Sequence, residues 1–163
     1  MLAEAGYKTG MTLSPHLQQV NERIQINGEP ISDEALTGLL GEVEALIQAW
    51  AVANLNLEQG CLPLTYFEAI IAAAFIHFER SHVGVGVIEV GLGGRLDATC
   101  VVRPEVSAVV SIGLDHMDRL GPDLASVAYE KAGVFRGGVP AVVGEVPPSA
   151  HRVLRDTAAS KGA

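Results

Sequence analysis

Hydrophobic positions recur along this chain in two rhythms, and the alternation between them sets out its elements. Residues 83–90 are apolar apart from two glycines and Glu89, and Val85, Val87 and Ile88 show no polar alternation. Such a run reads as a strand buried on both faces, which implies a parallel sheet covered by helices. Residues 106–112 and 139–143 read the same way, and 8–13 form a shorter strand closed by Ser14-Pro15-His16. Helical spacing fills the gaps. Ser32 is a good N-cap for a helix to about Val52, with Leu36, Leu39, Leu40, Val43, Leu46 and Ile47 on one face. Thr65-Tyr66-Phe67-Glu68 has the capping-box pattern and opens a helix to about Arg80, apolar nearly all round through Ile70, Ile71, Phe75 and Ile76. A helix over 124–132 stops at Gly133, and Ser149 caps a last one that runs to the end. Local signals add detail: residues 1–5 before Gly6 resemble the last turn of a helix, and Asn27-Gly28 predicts a small hairpin between 23–26 and 30–31. A polar loop is expected over 54–63.

Strands alternating with helices predict an α/β fold, a mostly parallel sheet flanked by helices and joined by right-handed crossovers. At 163 residues, 48% of them hydrophobic, the chain suits one domain spanning 1–163 with a real core. A net charge of −8 tells against nucleic acid or an anionic membrane surface as partner. Cys61 and Cys100 match no metal spacing and no disulfide framework, which suits a reducing compartment. Glu4 and Lys8 interrupt any signal-peptide core. The longest apolar run, 69–76, stops at His77, far short of the roughly 18 residues of a membrane span. A soluble, cytoplasmic protein is expected.

Candidate chemistry lies at the predicted strand ends, where open α/β sheets bind their ligands. Ser14, Glu89 and His116 fall at or just past three such ends. Hydroxyl, carboxylate and imidazole together suit a divalent ion whose shell is completed by water and phosphate oxygens. Taken singly, Ser14 also serves as a strand terminator, Glu89 as a cap or arginine partner, and His116 as a hydrogen-bonded loop residue. Lys131 stands late in a helix, where a cation favours the macrodipole. Yet lysine occurs only at 8, 131 and 161, and a partly buried lysine is readily deprotonated and modified. Two glycine motifs fail: Leu96 occupies the place of the third glycine of a dinucleotide fingerprint, and Lys8-Thr9 follows Tyr7 rather than a P-loop glycine. No complete triphosphate cradle is present, and no nucleotide-binding residue is assigned.

Five ordered blocks carry a resemblance that spans almost the whole chain. They are Ser14-Pro15-His16-Leu17 with Asn21-Glu22-Arg23-Ile24; Leu64-Thr65-Tyr66-Phe67-Glu68; the stretch Glu89 to Thr99, EVGLGGRLDAT; Ser111-Ile112-Gly113-Leu114-Asp115-His116; and Glu130-Lys131-Ala132-Gly133. The chain resembles the central ATPase domain of folylpolyglutamate synthase/dihydrofolate synthase, within the Mur ligase superfamily. The resemblance implies a partial Mur ligase-type ATP-binding domain. Its phosphate loop would precede Met1 and its C-terminal domain would follow Ala163, so the chain is expected not to turn over alone. It further implies an ATP-dependent ligase that phosphorylates a carboxylate of dihydropteroate or folate and joins L-glutamate to it, monomeric at full length. Ser14, Glu89 and His116 are then implied as Mg2+ ligands, with Glu89 and Lys131 as catalytic residues and Lys131 carbamylated. Thr65, Phe67, Leu96, Asp97 and Ala98 are implied as pterin contacts. Cys100 stands where the family usually has asparagine, and Met117-Asp118 where Thr-Glu is commoner. Another Mur-type ligase, or a non-catalytic α/β module, is the competing expectation.

Overall fold

The structure, a computed structural model, describes residues 1–55 and 64–163; the expected loop over 54–63 falls outside them from residue 56 on. The chain divides into two compact units, Met1–Glu89 and Val90–Ala163.

The first unit opens with one helical turn, in which the Ala5 N–H donates to the Met1 carbonyl and Gly6 closes it at φ +89°. Strand β1 (Thr9–Thr12) follows, then a short 3-10 turn (Val20–Arg23), β2 (Ile24–Ile26) and β3 (Glu29–Pro30). Asn27 and Gly28 both take positive φ, 54° and 89°. A two-residue turn of that hand matches the twist of its flanking strands, so the predicted hairpin forms at the predicted place. Within it β3 lies antiparallel against β2; its seat in the sheet was not predicted, β2 lying antiparallel against β1. Helices α1 (Asp33–Leu55) and α2 (Tyr66–Arg80) precede β4 (Val85–Ile88), which pairs parallel with β1 so that Thr12 faces Ile88. The sheet order is β3-β2-β1-β4.

Ser32 caps α1, its Oγ accepting from the Ala35 N–H at 3.2 Å. Leu36, Leu39, Val43 and Ala51 are buried, but Leu46 is 57% exposed against expectation. After Val43 the buried stripe advances in steps of four, through Ile47 to Ala51, and leaves Leu46 outside it. By length and composition α1 could also cross a membrane. In this fold its inner stripe packs on Ile70, Ala73 and Ala74 of α2, and Glu42 pairs with Arg80 at 2.6 Å.

The expectation that β4 is buried on both faces does not hold, since Val85 and Ile88 are half-buried and Gly86 and Val87 exposed. Gly10 and Thr12 of β1 share a face with Gly86 and Ile88 of β4. A Cβ on Gly10 would stand 2.8 Å from the Phe78 ring, so α2 lies directly on that face. On the other face Val87 is 43% exposed, because the helices of this unit cover only one side.

The second unit contains a 3-10 turn (Ala98–Val101), β5 (Ser107–Val109), the short α3 (Met117–Leu120), α4 (Leu124–Lys131), another 3-10 turn (Ala132–Val134), β6 (Ala141–Val143) and α5 (Pro148–Lys161). β5 and β6 pair in parallel, Ser107 with Ala141 through Val109 with Val143. Val109, Ile112, Val127, Ala128, Phe135, Ala150 and Leu154 form its buried core. β5 ends three residues earlier than expected. Its partner ends at Val143, and Gly144 then packs so close to Val110 that a Cβ would stand 2.2 Å from that carbonyl oxygen. Helix α5 begins at Pro148 instead of being capped by Ser149, since proline at the first helical position has no N–H to satisfy. β1 pairs with β4, and β5 with β6, in parallel; the antiparallel pairings are β1 with β2 and β2 with β3. The fold is α/β.

Candidate active site

In the first unit the parallel register of β1 and β4 brings two of the expected residues side by side. Glu89 is the first residue past β4, and its N–H donates to the Thr12 carbonyl at 3.2 Å, extending the ladder by one step. Ser14, two residues past β1, donates its N–H to Glu89 Oε2. A serine backbone and a carboxylate that are 75 residues apart in sequence thus meet at one strand-end edge. Both side chains are oxygen donors, which is what a hard cation such as Mg2+ prefers. Among the described residues no three His, Cys, Asp or Glu side chains gather into a ready metal cage.

The segment that carries Ser14 is fastened by a residue that the sequence reading left without a role. Glu22 accepts backbone hydrogen bonds from Leu17 at 2.7 Å, Gln18 at 2.9 Å and Gln19 at 2.8 Å. These bonds, Leu17's foremost, hold its carboxyl below the usual carboxylate range. The next residue, Arg23, donates from Nε to His16 Nδ1 at 2.8 Å and lies 5.6 Å over the Tyr66 ring. The signal for Glu22 was present as an acid three residues after Gln19, the spacing at which a side chain reaches back to a turn's free N–H groups.

Thr65 and Phe67 sit together at the start of α2. Thr65 forms the predicted capping box: its Oγ1 accepts from the Glu68 N–H, and Glu68 Oε2 accepts from the Thr65 N–H at 2.7 Å. These bonds lower the Glu68 pKa, the Thr65 backbone bond most. Thr65 is exposed and Phe67 half-buried.

In the second unit, Asp97 organises the glycine turn. Its Oδ2 accepts from the Gly91 and Leu92 N–H groups, both at 3.1 Å. Its Oδ1 accepts from the Thr99 N–H at 2.9 Å and the Thr99 hydroxyl at 2.6 Å. The turn rests on α4 and the residues after it. A Cβ on Gly94 would stand 2.9 Å from the Lys131 carbonyl oxygen, and one on Gly133 would lie 2.2 Å from Arg95 Cα. The Arg95 N–H donates to the Glu130 carbonyl at 3.0 Å while its guanidinium pairs with the Glu130 carboxylate at 3.0 Å. Cys100, in the place of the family's asparagine, still donates from its thiol to the Gly94 carbonyl. Leu96 is 81% exposed at the tip, and Ala98 is half-buried. Lys131 ends α4 and is half-buried. His116 stands in left-handed backbone at the head of α3, its ring mostly exposed and 3.7 Å from Asp115. The structure thus joins Ser14 to Glu89, Thr65 to Phe67, and the loop of Leu96, Asp97 and Ala98 to the backbone around Lys131. His116 belongs to the second unit.

The chain is similar over its whole length to folylpolyglutamate and dihydrofolate synthases. It is 42% identical over 163 residues to the dihydrofolate synthase/folylpolyglutamate synthase of Escherichia coli, covering 100% of this chain and 35% of that one. It is 37% identical over 162 residues to the folylpolyglutamate synthase of Lacticaseibacillus casei, covering 99% and 37%. Among solved structures, the apo L. casei enzyme superposes with a TM-score of 0.91 at 35% identity, over 99% of this chain and 38% of that one. The E. coli enzyme in complex with DHPP and ADP gives 0.86 at 42%, over 99% and 36%. The chain spans about a third of the length of these relatives. No protein-family model matches it.

Proposed function

We propose that this chain serves an ATP-dependent ligase that joins L-glutamate to dihydropteroate or folate through an acyl phosphate. The observation that carries the reading is the meeting of Ser14 and Glu89 at the ends of adjacent parallel strands. Ser14, Glu89 and His116 would hold Mg2+, which when bound neutralises charge on the phosphoryl group in transfer. Glu89 follows directly on its strand and accepts from the Ser14 backbone N–H, which ties the residue that bears the hydroxyl to the carboxylate. Lys131, carbamylated, would offer a carboxylate-like head that orients phosphate. Thr65, Phe67, Leu96, Asp97 and Ala98 would meet the pterin, with the exposed Leu96 side chain as the apolar contact. Asp97 keeps that loop in shape with the same carboxylate. Support for ATP and folate comes from neighbours solved as an FPGS–AMPPCP–folate complex and as an E. coli complex with DHPP and ADP. The full-length protein would act in the cytoplasm as a monomer.

A chimera tests the reading. These 163 residues replace the matching third of the E. coli enzyme, and ATP-dependent glutamate addition to dihydropteroate is measured. Activity is expected, and Glu89→Ala is expected to abolish it with the fold intact. A folded chimera that leaves dihydropteroate untouched overturns the folate assignment; near-normal turnover by Glu89→Ala removes Glu89 from the metal site.

A further inference from the structure

Between Ser14 and Gln19 the backbone has five N–H groups, because Pro15 has none, and four of them end on two carboxylates. Glu89 takes the one from Ser14; Glu22 takes those of Leu17, Gln18 and Gln19. Glu89 belongs to the proposed ion site, but no role has been given to Glu22. We infer that Glu22 is a positioning residue: by gathering three N–H groups it sets where the Ser14 hydroxyl stands toward the ion. This rests on the reading of Ser14 and Glu89 as ion ligands.

The coupling is short. Only Pro15 and His16 separate Ser14 from Leu17, a span of at most about 10 Å even if fully extended. Neither residue is slack, since the proline ring fixes its φ and the His16 ring is held by Arg23 Nε at 2.8 Å. Holding Leu17 therefore limits where the Ser14 Cα can lie. A charged acceptor makes the bonds strong, and their lengths of 2.7 to 2.9 Å fit charge-assisted geometry. Glutamine in its place would keep the size but lose the charge and one of the two acceptor atoms. A Glu22 that merely shored up the fold would change the melting temperature and leave ion affinity alone; a positioning residue changes affinity first.

The test uses the 163-residue chain with Mn2+ as probe, read by electron paramagnetic resonance, together with amide hydrogen exchange. Protection is expected at Leu17, Gln18 and Gln19, and Glu22→Gln should remove it. Mn2+ affinity should then fall by about tenfold or more, the usual loss when a group supporting a ligand is changed, with little change in melting temperature. Glu22→Asp keeps the charge with a shorter arm and should lie between the two. It is also the variant to read if Glu22→Gln fails to fold. Ser14→Ala and Glu89→Gln run alongside. If these two weaken Mn2+ binding while the Glu22 variants bind like the parent, the inference is overturned and the ion site stands. If neither weakens binding, the ion-site reading falls and the inference with it. Amides at 17–19 that exchange freely in the parent chain also overturn it.

Discussion

Two loops in this molecule are held by carboxylates, and they are held in opposite ways. In the turn over Gly91–Thr99 the acid is local: Asp97 takes N–H groups at most six residues away and closes the loop on itself. In the segment over Ser14–Gln19 one acid, Glu22, is local while the other, Glu89, arrives from a strand 75 residues distant. The first arrangement makes a rigid turn wherever it is placed. The second makes a loop whose position depends on the sheet, because Glu89 is delivered by the register of β4 on β1. A self-contained turn suits a surface that a substrate reads by shape. A loop tied to a strand end suits two donors that must approach the same ion.

The comparison can be broken at its firmest point. Gly133→Ala would set a methyl 2.2 Å from the Arg95 backbone, which cannot swing aside. Destabilisation of about 3 kcal/mol or more is expected by chemical denaturation, at the upper end of overpacking costs. A change under about 1 kcal/mol would mean that the glycine turn does not rest on the 3-10 turn after α4. A smaller effect is expected for Asp97→Ala, which strips the turn of its acceptor: about 2 kcal/mol, the scale of a lost cap that leaves backbone donors unpaired. In the same variant, amide exchange should quicken at Gly91, Leu92 and Thr99 and stay unchanged at Leu17–Gln19. Coupled changes in both loops would refute their independence.

The smallest effect depends on pH. Backbone hydrogen bonds lower the Glu22 pKa in the folded chain below its ordinary 4.5. The stabilisation is therefore fully present above that ordinary value and is lost as pH falls through the lowered one. The gap in amide protection at Leu17, Gln18 and Gln19 between the parent and Glu22→Gln should be constant near neutrality and close below about pH 4.5. A gap that persists unchanged in acid would show that the charge of Glu22 is not what binds the three amides.

Local chemistry was legible in the sequence and distant pairing was less so. The Thr65–Glu68 box, the Ser32 cap and the Asn27-Gly28 turn were all readable, because each is decided by residues within four positions. The convergence of Ser14 and Glu89 was readable one level up, since two parallel strands end at the same edge. What escaped was set by packing. The hairpin's seat against β1 depends on which edge was free, and the exposure of Leu46 on how the α1 stripe drifts after Val43. Val87 stands open because its unit has helices on one side only, which no run of valines can report. Glu22 escaped for another reason: an acid near a turn is common, and its weight comes from Ser14 lying three residues before the first amide it holds.

The hairpin has a consequence for growth of the first sheet. Its outermost strand, β3, is two residues long and one of them is Pro30, which has no N–H to offer a newcomer. At the opposite margin, Val85–Ile88 has a neighbour on one flank only, and its outward row of amides and carbonyls is unspent among the described residues. Any further ribbon of backbone, from whatever source, can therefore be annexed on the β4 side alone. The sheet is built to lengthen in a single direction.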